Sequence, residues 1–281
     1  MIVVDFSQIC LATLLVDPST ADNEEFVRHK VLNSLRSINS KFRREYGEMV
    51  IACDATNVWR KKVFPYYKAN RRKTQSESSL DWNAIFEAFN KILSEIRENL
   101  PYRFIRVDTA EADDIIATLA KHFSPQGPVL IVSGDKDFRQ LQKYHNVEQY
   151  SPRDKKKIRV NDAHAFLVEH IIRGDSSDGV PNIFSDDDSL VNVDKRQSQC
   201  TKKRFDSVYE EAIKGRLPDD EKIKRNYIRN NEVINLDLIP DNIVKEVLEQ
   251  YKNVTIPPRS GLLNYFIAKK LKKLMTNLTD F

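Results

Sequence analysis

Residues Val129–Phe138 read VLIVSGDKDF, an unbroken apolar run, a serine and a glycine, then Asp135 and Asp137 two positions apart. Such a run suits a strand buried on both faces of a parallel sheet. With a side-chain period of two, both aspartates are expected to project the same way as the strand ends. Two carboxylates side by side repel by about 4 kcal/mol at about 4 Å and an effective dielectric of about 20. A fold keeps such a pair if both are solvated, if one stays protonated, or if a cation lies between them. One pair does not choose among these. Further acids at the same end of the same sheet must.

Moving outward, Met1–Phe6 (MIVVDF) and Glu48–Cys53 (EMVIAC) read as two more buried strands, ending on Asp5 and Asp54. Taken singly, either aspartate is as well explained as a turn residue or helix cap. Tyr102–Val107 (YRFIRV) is a further strand, and Thr109 is a suitable N-cap for a helix over Ala110–Lys121. The first turn of that helix carries Glu111, Asp113 and Asp114. The helix dipole favours acids there, but three exceed what capping needs. Asp175 and Asp178 lie in a Gly- and Pro-marked loop, Gly174–Pro181.

Between the strands, Gln8–Val16, Asn23–Phe42, Asp81–Leu100 and Asp162–Ile172 show helical apolar spacing. Asn146–Val160 reads as a hairpin whose tip and return carry Arg153, Lys155, Lys156, Lys157 and Arg159. A solubilising turn and a phosphate contact explain that charge equally well. Helices are expected over Phe205–Lys214, Glu221–Arg229, Asp241–Tyr251 and Leu262–Met275, with Ser185–Arg204 polar and irregular in its first half. The pattern implies an α/β fold, a central mostly parallel sheet flanked by helices. A catalytic unit over 1–172 and a helical region over 173–281 are expected.

Length and composition bound the function. The 281 residues, 41% hydrophobic and 31% charged, describe a soluble globular chain with many charges left for surfaces and sites. No apolar run approaches a membrane span, and the start has no basic stretch of a secretion signal. Cys10, Cys53 and Cys200 have no metal-ligand spacing and fit a reducing compartment, so a cytoplasmic location is expected. The net charge of +4 is small but unevenly distributed.

Val58–Lys73 (VWRKKVFPYYKANRRK) holds Arg60, Lys61, Lys62, Lys68, Arg71, Arg72 and Lys73, with no acidic residue between Asp54 and Glu77. Trp59, Phe64, Tyr66 and Tyr67 are interleaved. A helix starting at Pro65 would place Lys68, Arg71 and Arg72 on one face. The plain alternative is a solvated basic helix. The missing acids and the aromatics available for base stacking favour nucleic acid. Lys73–Leu80 is polar and expected to be mobile.

Asp5, Asp54, Asp135 and Asp137, with Glu111, Asp113 and Asp114, are thus expected around one crevice at the carboxyl edge of the sheet. No histidine or cysteine is expected with them. An all-oxygen site selects hard cations, Mg²⁺ or Mn²⁺. Two such ions activate a water and stabilise a leaving oxygen in phosphoryl chemistry. Lys68 and Arg71 are the candidates to reach a phosphate over so acidic a site.

The same residues resemble the family of structure-specific 5′ nucleases, which includes flap endonucleases and the 5′-nuclease domains of bacterial DNA polymerases, and within it the phage ribonuclease H branch. EADD at Glu111–Asp114, SGDKDF at Ser133–Phe138, GDSSDGVP at Gly174–Pro181 and WRKKVFPYYKANR at Trp59–Arg71 follow in family order. INLDLIPDNI at Ile234–Ile243 and TIPPR at Thr255–Arg259 are similar to the phage branch. The resemblance implies a Mg²⁺-dependent 5′ to 3′ exonuclease and flap endonuclease that removes RNA primers and adjacent DNA during lagging-strand replication. It implies Asp5, Asp54, Glu111 and Asp113 at a first metal, Asp135, Asp137, Asp175 and Asp178 at a second, and Asp113 and Asp114 between them. Tyr67, Lys68 and Arg71 match the foot of a helical arch, about 57–82, that engages the scissile phosphodiester. Implied partners are DNA and RNA–DNA hybrids with a 5′ end or flap, a single-strand-binding protein and a sliding clamp, with the nuclease a monomer in the host cytoplasm. The family's Gly-rich hairpin after the GDxSD motif is missing, and Asn182–Arg204 takes its place, leaving Lys202, Lys203 and Arg204 as phosphate contacts. A non-catalytic DNA-junction module with structural acids is the competing reading. A kinase-like or phosphatase enzyme is disfavoured because no GxxxxGK[ST] is present.

Overall fold

The computed structural model describes residues 1–281 except 17–22, 72–74, 76–77 and 79. Arg72 and most of the Lys73–Leu80 stretch lie outside the described residues. Six strands form one sheet: β1 (Ile2–Asp5), β2 (Met49–Ala52), β3 (Arg103–Ile105), β4 (Val129–Val132), β5 (Val147–Ser151) and β6 (Lys156–Ile158). Their order is β3-β2-β1-β4-β5-β6, parallel except for the last pair. The order reverses between β1 and β4, which opens a crevice at the carboxyl edge there. Register brings the strand ends level, with Asp5 opposite Ala52 and Val4 opposite Val132.

The helices are α1 (Phe6–Val16), α2 (Glu24–Tyr46), α3 (Arg60–Val63), α4 (Trp82–Asn99), α5 (Ala112–Phe123), α6 (Ala163–Arg173), α7 (Lys202–Ala212), α8 (Glu221–Ile234), α9 (Asp241–Asn253), α10 (Leu262–Ala268) and α11 (Lys272–Met275). Strand alternation divides the core. Ile2, Val4, Ile51, Leu130 and Val132 pack with α1, α2, α4 and the C-terminal helices. Val3, Val50, Val129 and Ile131 face α5 and α9. A third cluster joins α6, α7 and α8 to Phe64 and Tyr67. Several helix starts follow local caps: Asn23, Asp81 and Asp162 each accept backbone N–H bonds from the first turn.

Four local expectations are corrected. No helix starts at Pro65; residues 65–69 are turns, and Lys68 has φ 57. Thr109, at φ 65, is not the cap of α5; Glu111 is, through a reciprocal capping box with Asp114. Asp135 and Asp137 do not continue β4. They open a 3₁₀ turn in which Asp135 Oδ1 accepts the Asp137 N–H (2.9 Å), so the strand period no longer sets their directions. The last helix is broken at Lys269–Leu271, where Lys270 has φ 55.

Candidate active site

β1 ends on Asp5, whose oxygens accept from Gln8 N–H (3.1 Å) and Ser133 Oγ–H (3.1 Å). Asp54, two residues past β2, accepts from Ser7 Oγ–H (2.6 Å) and from the N–H of Ala112 at the start of α5 (2.8 Å). That bond ties the second strand end to the helix that delivers Glu111 and Asp113. Asp135 follows β4. Beside it Asp137 and Asp175 come together at α6, and Asp178 follows in the next loop against Tyr67 and Arg71. The Asp175–Asp178 loop closes against residues 66–70: Lys68 N–H donates to Asp178 O (2.7 Å) and Asn70 Nδ2 to Ser176 O (2.7 Å). Gly179, at φ 71, permits this approach, because a Cβ there would lie 3.0 Å from Tyr66 O.

The basic segment crosses over the acids. Lys68 Nζ bonds Glu111 and lies 3.5 Å from Asp178, and Arg71 Nη2 bonds Asp178 (2.6 Å). Tyr67 Oη bridges the two halves, donating within reach of both Glu111 (2.9 Å) and Asp178 (3.0 Å).

Residues 15–169 match the family model described as the 5′–3′ exonuclease N-terminal resolvase-like domain, and residues 162–281 match the C-terminal domain of T4 RNase H. The chain is 34% identical to the ribonuclease H of Enterobacteria phage T4 across 99% of this chain and 94% of that protein. This chain belongs to the 5′–3′ exonuclease family. A flap endonuclease of Shewanella loihica is 30% identical over 55% of this chain and 59% of its own length. The bacteriophage T5 flap endonuclease, in a complex with DNA and metal ions, has the same fold, with a TM-score of 0.64, 17% identity and coverage of 90% of this chain and 99% of that one. The chain is therefore a metal-dependent 5′ nuclease.

The acids of this 5′ nuclease sense one another. Burial pushes the Asp5 carboxyl up to about 7, and the charges of Asp54 and then Asp135 add to it. Asp113 is held well above the usual carboxylate range by desolvation and then by Asp135. Desolvation, then Asp137, pushes Asp135 up to about 6. Such a nest of oxygen donors, with carboxyls resisting ionisation, fits a hard divalent cation. Folded values above the unfolded 3.8 mean that these carboxyls favour the fold fully below about pH 4. That stabilisation is lost as the pH rises through about 6 to 7. In chelator, the thermal midpoint is expected to fall over this window, and added Mg²⁺ to flatten the decline. A melting profile equally steep with and without Mg²⁺ would contradict the assignment.

Three site expectations of the nuclease are corrected. Arg60 is not a nucleic-acid contact. It is 2% exposed, and its guanidinium bonds Glu111 (2.9 Å), Asp114 (2.7 and 3.0 Å) and Val233 O (2.8 Å). Asp114 is not a metal ligand. It is 0% exposed, and its oxygens are taken by Arg60, Trp59 Nε1 (3.0 Å) and Glu111 N–H (2.9 Å). Tyr67 offers no ring for base stacking, being 3% exposed; of the four aromatics in that stretch only Tyr66, at 38%, is open. The Asp114→Asn substitution leaves the buried Arg60 charge half-unpaired, at a cost of about 3–5 kcal/mol. A fall of roughly 10 °C in melting temperature is expected. A ligand role would instead spare the melt and move the Mg²⁺ midpoint.

One residue was missed. His170 Nε2 sits 2.9 Å from Asp137 and 3.5 Å from Asp175, so a histidine does lie with the acids. Desolvation opposes its charge, but the bonds to Asp137 and Asp175 outweigh this and raise it to about 9. Asp175 is held well below the usual range: burial opposes this, and the bonds from His170 and Ser177 prevail. Lys136 also pairs with Asp175 (3.1 Å). The available signal was HIIRGD, which puts His170 on the last turn before Asp175. Elsewhere, Lys61, Lys62, Lys202, Lys203 and Arg204 are exposed. Lys202 pairs with Asp206 (2.7 Å), and Arg204 lies over the Phe184 ring (4.2 Å). No described helix is long and apolar enough to cross a membrane.

Proposed function

We propose that this nuclease uses two Mg²⁺ ions to remove RNA primers and adjacent DNA from 5′ ends and flaps on the lagging strand. The observation that carries this reading is the pairing of Lys68 with Glu111 and of Arg71 with Asp178, which brings two cations of the basic segment onto the acids. Asp5, Asp54, Glu111, Asp113 and Asp135 would hold one ion, and Asp135, Asp137, Asp175 and Asp178 the other. When bound, two such ions supply an activated water and stabilise the leaving oxygen. Ser7, Ser133 and the Ala112 N–H fix the carboxylates in advance, which lowers the reorganisation needed at reaction. Lys68 and Arg71 neutralise the scissile phosphate as it enters.

A cleft of about 1040 Å³, lined by Phe6, Trp82, Phe86 and Phe89, runs to Asp54 and Arg71 and suits a displaced single strand. Lys61 and Lys62, both exposed on α3, are further candidate phosphate contacts. Lys202, Lys203 and Arg204 open α7, at a helix start where like charge disfavours cations and a phosphate would be welcome. The reading divides the chain into a catalytic unit over 1–172 and a DNA-binding and C-terminal region over 173–281. A host-cytoplasmic monomer working with a single-strand-binding protein and a sliding clamp completes the reading. The test is cleavage of a labelled 5′ flap beside a nicked RNA–DNA hybrid, with Mg²⁺ and with chelator. Mg²⁺-dependent release of short products from the RNA 5′ end is expected; products only from DNA would overturn the primer role.

A further inference from the structure

The hairpin of β5 and β6 has no part in the site described so far, yet it rises from the same sheet edge. β5 runs parallel to β4, so Ser151 ends beside Ser133 and Gly134. A Cβ built on Gly134 would lie 3.5 Å from Ser151 Oγ. Gln149 Nε2 donates to Ser133 O (3.0 Å) and Asp135 O (2.6 Å), which locks the hairpin to the metal-binding turn. The tip is itself ordered by Ser151 and Asp154, each bonding the other (2.8 and 3.1 Å).

Arg153, Lys155 and Lys156 project from this tip, all exposed. Among the described residues none of the three has an acidic partner within ion-pair distance. Lys157, by contrast, is paired with Glu148 (2.8 Å) and Tyr46 (3.0 Å). Lysines on an edge strand discourage strand addition, which accounts for Lys156 and Lys157 within β6. It does not account for Arg153 and Lys155, which lie in the turn beyond the ladder.

We propose that Arg153, Lys155 and Lys156 form a clamp on the phosphate backbone of the duplex arm beside the cut, an inference that rests on the nuclease reading above. At about 3.3 Å per residue the tip stands roughly 7–10 Å beyond Ser151. That reach puts the three cations past the sheet edge that carries the acids, where a backbone lying across the site comes within their range. The clamp reads no sequence. It sets how the duplex is laid across the acids, as backbone contacts do.

The test uses the full chain carrying R153Q, K155N and K156Q together. Asparagine suits position 155, where φ is 55. Binding of a fluorescent flap duplex in chelator is measured over a series of KCl concentrations, with a K245Q/K252Q protein as a control on the exposed side of α9. Each lost phosphate contact removes about 0.9 from the slope of log K against log salt, so a fall of about two to three is expected, with binding at least about 10-fold weaker at low salt. Shortening one duplex arm to about two base pairs should erase the difference between the triple variant and the wild type, and so identify the arm. An unchanged slope, or an equal fall in the control, overturns the clamp. If the wild type still cuts flaps in that case, the nuclease reading stands; a wild type that neither binds nor cuts sinks both. Should the triple variant fail to fold, K155N alone, with an expected slope loss of about one, carries the test.

Discussion

Asp135→Asn and Asp113→Asn are each expected to reduce flap cleavage at least about a thousandfold, about 4 kcal/mol in the barrier, while DNA affinity in chelator stays within a few-fold. Both carboxyls sit where desolvation and neighbouring acids already resist a second negative charge. On the proposed assignment, removing one charge removes a ligand without removing a support. Asp135→Asn in chelator at neutral pH should raise the melting temperature by about 2–6 °C, because a carboxyl pushed up to about 6 is ionised there and its unfavourable charge is gone. Loss of activity joined to a gain in metal-free stability distinguishes a metal site from a structural acid. The contrast with Asp114→Asn is direct, since that variant should lose stability: its charge is already matched by Arg60. Cleavage at the wild-type rate by either Asp135→Asn or Asp113→Asn would end the site assignment.

The contrast also marks how far the sequence could be read. Apolar runs at Ile2, Val50 and Val129 are strong local signals, and the acids that follow them are legible as a set because parallel strands end on one edge. Helix starts at Asn23, Asp81 and Asp162 were readable from side chains that bond their own first turn. Arg60 was not readable as a buried ion, because its partners Glu111 and Asp114 are about fifty residues away and only the folded packing of α3 on α8 removes it from water. Counting cations in a run treats them as equivalent; here Lys61 and Lys62 face solvent while their neighbour Arg60 is a strut. His170 was hidden for the opposite reason, as a single histidine on an amphipathic helix, where packing is the ordinary explanation. The turn at Lys68 lacks any glycine signal. Its left-handed backbone is held from outside, by the Asp178 carbonyl and by the room that Gly179 leaves.

That imposed conformation leads to the other large effect. Lys68→Met is expected to slow single-turnover cleavage by about 10²–10³-fold, the scale for losing one preorganised charge at a reacting phosphate. Lys68 bonds Glu111 and lies near Asp178, so on the proposed assignment it would compete with a divalent cation for their oxygens. Desolvation disfavours its charge, yet Asp178 and Glu111 hold the ammonium well above the ordinary lysine value, so it stays charged throughout the working pH range. Deleting it frees Glu111 Oε1 and removes a positive charge from beside Asp178, so Mg²⁺ should bind the variant more tightly than the wild type even as turnover falls. A merely structural lysine would weaken both together. Metal binding read by calorimetry, beside the single-turnover rate, separates the cases: tighter Mg²⁺ with slower cleavage supports a lysine that leaves the acids for the phosphate as substrate and metal arrive. Unchanged cleavage would show that Arg71, bonded to Asp178 from the next turn, carries the phosphate without it.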